Sequence, residues 1–178
     1  MIEKGNLLRK MTLTCMFTAI TTLTSSFFFI PVGFAKIFPI QHVTNVMTAV
    51  ILGPFFAVIQ AFLVSLIRNM AGTGSIFAFP GSMIGAFFAA LLYKKIKKIQ
   101  FACLGEVFGT GILGSITCYP IALVLLGEKA ALFGFLPAFF LSSLLGSLFA
   151  FLILKILLKN HFFNEILYKN NTTDNRTD

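Results

Sequence analysis

Gln41, His42, Asn45, Arg68, Asn69, Thr73 and Ser82 fall between Phe38 and Gly85 of a chain that is otherwise strongly apolar. Together they offer amide, imidazole, guanidinium and hydroxyl groups, a mixture that can donate and accept hydrogen bonds around a small molecule. No carboxylate stands among them, and with only His42 and His161 in the chain no nucleophile, base and orienting group fall into a recognisable set, so an enzyme reading has little support. Polar groups at membrane depth lose water and are retained mainly where they pair with one another, line a cavity or hold a ligand. The candidate ligand-binding residues are therefore Gln41, His42, Asn45, Arg68, Asn69 and Ser82, with Phe34, Phe38, Phe77 and Phe79 available as an aromatic slot. Each has a plainer use. His42 suits a helix cap, and Arg68 suits a brace for Asn69 and the Gly72-Thr73-Gly74 turn.

The elements that must position these groups are membrane helices. Of the 178 residues 57% are hydrophobic and 11% charged, where a globular chain carries about 25% charged residues. The apolar residues gather in runs near the roughly 20 residues that span a bilayer as helix. Pro, Gly and charge clusters divide the chain into six candidate spans, Leu7–Phe29, Pro39–Leu52, Pro54–Met70, Pro80–Tyr93, Ile99–Tyr119 and Phe133–Leu158. Pro39, Pro54 and Pro80 stand at span starts, where a missing backbone N–H costs nothing. The second and fourth spans read as short, which opens a cavity on one face. The fold class is all-α integral membrane, with a membrane domain over 1–160, a polar cytoplasmic tail over 161–178 and no room for a soluble catalytic domain.

Lys4, Arg9, Lys10, the cluster Lys94, Lys95, Lys97 and Lys98, then Lys155, Lys159 and Lys169 fall on one side of this topology; Lys36, Arg68 and Lys129 fall on the other. By the positive-inside rule both termini are cytoplasmic. The net charge of +8 is then topological, and a nucleic-acid partner is not expected. The polar constellation lies in the outer half, and the loop from Pro31 to Pro39, with Gly33, Lys36 and Phe38, is placed to act as a lid. The first span lacks a cleavage site and reads as part of the mature protein.

Glu106 is the only acid well inside a span. Counted from Ile99 it lies about 10 Å in from the cytoplasmic edge, away from the outer mouth; it reads first as a hydrogen-bonded structural group, with a partner for Lys or Arg at the inner surface and a cavity-floor residue as the alternatives. Gly105, Gly109, Gly111 and Gly114 around it read as close helix packing. Cys15, Cys103 and Cys118 have neither metal spacing nor a plausible pairing, so no metal or cofactor is expected. The Asn171 and Asn175 sequons fall in the tail and carry no meaning there.

The run Phe38-Pro39-Ile40-Gln41-His42, the following Asn45, Leu52-Gly53-Pro54, Arg68-Asn69-Met70-Ala71-Gly72-Thr73-Gly74 and Phe79-Pro80-Gly81-Ser82-Met83-Ile84-Gly85 resemble the ThiW family. The resemblance spans about Leu7 to Leu158. It implies a substrate-binding S component of an energy-coupling factor (ECF) transporter: a six-helix bundle without ATPase activity, working with one transmembrane coupling protein and two ABC ATPases. It also implies the thiazole precursor of thiamine, hydroxyethylthiazole, as ligand. That molecule is flat and uncharged, with a ring nitrogen, a sulfur and one hydroxyl, and the polar and aromatic residues above suit it. S components of this type commonly dock through small residues on the first helix. Here Cys15 and Ala19 occupy that spacing, Cys15 departing from the usual Ala. A stand-alone secondary transporter or channel is the alternative, disfavoured by the lack of a repeat between the halves.

Overall fold

The structure, a computed structural model, describes residues 2–32, 35–126 and 131–160. Gly33 and Phe34 of the expected lid, Lys129, and the tail 161–178 with His161, Lys169 and both sequons lie outside the described residues. A long helix α1 (Ile2–Phe27) leads into two short strands, β1 (Ile30–Val32) and β2 (Ala35–Ile37). They pair antiparallel in the register Ile30 with Ile37, Pro31 with Lys36 and Val32 with Ala35. Helices α2 (Pro39–Leu52), α3 (Pro54–Met70) and α4 (Ala78–Ile96) follow. Then α5 (Ile99–Phe108), a π-helical segment (Gly109–Gly114) and α6 (Ser115–Leu126) run on without a break, and α7 (Ala131–Leu157) closes the bundle of six rods.

Pro39 and Pro54 begin α2 and α3 as the sequence predicts. The turn between those helices rests on one residue, Gly53, whose φ of 85° is cheap for glycine and strained for any side chain. Other expectations are corrected. The Pro31 to Pro39 segment, read as a loop, contains the strand pair. The fourth span, read as short, is a helix of 19 residues. The fifth, expected to stop at Tyr119, continues through Pro120 to Leu126.

The buried interior at one end of the bundle is apolar. Val46, Val50, Ile51 and Leu52 of α2 meet Tyr93 of α4, Ala102 of α5, and Ala150 and Leu154 of α7, with Leu13, Phe17 and Phe56 packed against them. This cluster lies at the end that carries Lys10, Lys94, Lys97 and Lys155. The opposite end holds the start of α2, the end of α3 and the start of α4, where the polar residues gather.

Across the bundle the usual burial pattern is inverted. Leu8, Met16, Leu23, Phe55, Met70, Leu104, Leu148 and Ile156 are exposed, whereas Thr14, Thr18, Thr21 and Ser25 form a buried stripe on α1. An apolar exterior of this extent needs lipid or a partner to cover it. Inside, Thr21 donates to Thr44 at 2.9 Å, and the Gln60 amide reaches Thr21 and Thr44 at 3.4 and 3.3 Å, tying α1, α2 and α3 together. By length and composition, Ile99–Val124 and Leu136–Leu157 suffice to cross a membrane, and Pro54–Met70 is a shorter apolar helix.

Small residues allow α4 to cross the fifth rod at close range. A Cβ added at Gly105 would sit 2.5 Å from the Phe88 carbonyl oxygen and 2.7 Å from its carbon, both main-chain atoms of a helix. Gly105→Ala therefore has to push two helices apart, at an expected cost of about 1–3 kcal/mol. Thermal unfolding of the detergent-solubilised variant measures it; an unchanged midpoint would contradict the crossing.

Candidate functional site

The first turns of α2 bring Gln41, His42 and Asn45 to the bundle interior, because residues at i, i+1 and i+4 share one helical face. Gly146 of α7 permits a close approach there: a Cβ on it would lie 2.5 Å from both the His42 Cβ and the Pro39 carbonyl oxygen. From the facing elements come Arg68 in the last turn of α3, Ser82 in α4, Thr110 in the π segment, and Phe139 and Ser142 in α7. They surround a cavity of about 90 Å³, lined also by Phe38, Ser75, Ala78, Gly81 and Ala138. A π-helical turn shifts the side chains that follow it out of α-register and is frequent at functional positions.

Beneath the cavity, Glu106 is a hub. Its Oε1 receives His42 Nδ1 at 2.7 Å, the Asn45 amide nitrogen at 3.0 Å and the Thr110 hydroxyl at 3.1 Å. Asn45 also donates to Ser82 Oγ at 3.0 Å, and Thr110 lies 3.1 Å from the Gly81 carbonyl. Glu106 is 0% exposed, and its Oε2 has no hydrogen-bond partner. Space for the carboxylate comes from Gly85, where an added Cβ would collide with Thr110 Oγ1 and lie 2.8 Å from Glu106 Oε2.

At the other side the Arg68 guanidinium donates to Gln41 Oε1 through Nη1 and to the Thr73 carbonyl through Nη2 at 3.0 Å. It lies 4.0 Å above the Phe38 ring, a cation–π contact, and its Nε is buried without a partner. Gln41 donates in turn to Ser65 Oγ at 3.2 Å. The backbone N–H of Phe38, where the strand pair hands over to α2, donates to Ser142 Oγ at 3.0 Å. Hairpin, α2 and α7 thus meet at the cavity rim.

Of the residues singled out in the sequence, Phe38, Gln41, His42, Arg68 and Ser82 line this one cavity. Asn45 lies in the network below it. Asn69 is turned to the backbone, donating to the carbonyls of Ser65 at 2.7 Å and Ser75 at 3.0 Å. Phe79 packs on Phe62 with ring centroids 5.7 Å apart, and Phe77 is held by main-chain contacts to Ser75 and Cys118. Glu106, expected far from the mouth, is bonded directly to His42, which corrects that expectation. Thr110, Phe139 and Ser142 were not singled out. Glu106 carried the only usable signal, as a carboxylate inside an apolar span.

Asn45→Ala leaves Glu106 Oε1 and Ser82 without that donor. The expected loss is about 1–3 kcal/mol of unfolding free energy, read from thermal melts in detergent; a melt equal to the parent would remove Asn45 from the network.

A family model described as thiamine-precursor transporter protein (ThiW) matches residues 11–160. The chain belongs to the ThiW family. Among solved structures, the S component of a bacterial ECF transporter matches with a TM-score of 0.73 at 18% identity, over 86% of this chain and 97% of that one. At that identity the likeness shows the fold alone, and the fold is the six-helix membrane bundle the sequence predicts. No curated protein matches the chain. Family and fold together make this ThiW chain a membrane protein, which accounts for the inverted burial.

Proposed function

We propose that this ThiW protein is the substrate-capturing S component of an ECF-type importer, taking up hydroxyethylthiazole from outside the cell without catalysis of its own. The observation that carries the reading is the cavity between Arg68 and His42, set at the end of the bundle opposite Lys10, Lys94, Lys97 and Lys155. With both termini cytoplasmic, as the Lys and Arg distribution implies, that cavity opens outward. Binding would fall to Phe38, Gln41, His42, Arg68 and Ser82, with Phe139 added as a second apolar wall, while Asn45 and Asn69 hold the surrounding polypeptide. A void of roughly 150 Å³ admits benzene in another protein, so a cavity of about 90 Å³ must widen for a ring with a side arm.

Energy would come from a separate module of one transmembrane coupling protein and two ABC ATPases. Cells lacking their own thiazole uptake test this: labelled hydroxyethylthiazole should accumulate when the chain is expressed with such a module and stay at background without it. Equal accumulation without the module would favour a stand-alone secondary transporter.

A further inference from the structure

The two sides of the cavity offer hydrogen bonds of opposite sense. Glu106 Oε1 accepts from the Asn45 amide nitrogen, which has only hydrogens to give, and the same oxygen lies 2.7 Å from His42 Nδ1. With the carboxylate as acceptor, Nδ1 is the donor of this pair, and in the neutral tautomer so fixed the remaining nitrogen, Nε2, is an acceptor. None of the hydrogen bonds among the described residues uses Nε2, and His42 lines the cavity. Arg68 can only donate. Of the five N–H groups of a guanidinium, one is taken by Gln41 Oε1 and one by the Thr73 carbonyl, and Nε is buried without a partner. Among the described residues no carboxylate pairs with Arg68, which is 1% exposed.

Resting on the reading of this cavity as a capture site, we infer that it recognises a neutral heteroaromatic alcohol end to end: Arg68 donates to a ring nitrogen, and His42 Nε2 accepts from the hydroxyl. Phe38 and Phe139 supply the apolar walls for the ring between them. Glu106 is then a positioning residue, since it fixes which imidazole nitrogen faces the ligand. The arrangement also selects against the phosphate ester of the same alcohol. Esterification removes the hydroxyl hydrogen that Nε2 would accept and places negative charge beside the His42–Glu106 pair.

Titration calorimetry on the whole purified chain with four probes tests this: hydroxyethylthiazole, its analogue with a plain ethyl arm, its O-phosphate ester, and the thiophene in which CH replaces the ring nitrogen. The last three should each bind on the order of ten- to a hundredfold more weakly than the first, as expected when a buried donor or acceptor is left unmatched. In His42→Phe the preference for alcohol over ethyl arm should vanish while thiazole is still preferred to thiophene, and Arg68→Met should do the reverse. Should either variant fail to fold, the parent chain's four affinities decide alone. An ethyl or phosphate analogue binding as tightly as the alcohol overturns the inference and leaves the capture reading standing. Binding of none of the four overturns both.

Discussion

Cys15→Trp or Ala19→Trp is expected to abolish module-dependent uptake of hydroxyethylthiazole while leaving binding by the solitary chain intact. Both positions lie on the exposed side of α1, one helical turn apart. Thr14, Thr18 and Thr21 occupy the buried side, about 100° away around the helix. An indole added outside therefore meets no residue of the bundle, yet prevents the close helix approach that small residues allow. Uptake at the parent rate with both replacements would rule out this face as the dock, and loss of binding by the solitary chain would make it a support of the fold instead.

Glu106→Leu should be the most damaging single change inside the bundle. It removes the acceptor shared by His42, Asn45 and Thr110 at 2.7 to 3.1 Å. Three buried donors are left without their shared acceptor, at about 1–3 kcal/mol for each one that finds no substitute. Glu106→Gln keeps an oxygen for the His42 hydrogen and should lose much less. Thermal unfolding of the two variants side by side checks this order; equal melts would mean that the carboxylate is not the hub.

The sequence made α2 and α3 legible to the residue because Pro39, Gly53 and Pro54 act through local backbone geometry alone. It was misleading at Tyr119-Pro120, which reads as a helix end but lies inside a helix that continues to Leu126. For the site, the polar residues between Phe38 and Gly85 are legible in the sequence, whereas Thr110, Phe139 and Ser142, which the fifth and sixth rods bring to the same cavity, are not. Counting from Ile99 placed Glu106 near the cytoplasmic edge. The 14 residues of α2 span only about 21 Å at 1.5 Å each, so its polar first turns reach the depth of Glu106. The π segment that presents Thr110 leaves no mark beyond its glycines. Asn69 is as polar as His42, and only its backbone partners reveal that it braces the α3–α4 link.

The central claim is that the lone chain captures a thiazole alcohol without nucleotide. Calorimetric titration of the purified chain with hydroxyethylthiazole in the absence of ATP tests it most directly. The expected result is saturable one-to-one binding that weakens when His42 or Arg68 is replaced. Saturable binding that appears only with ATP or with the coupling module present, or no binding under any of these conditions, would contradict it.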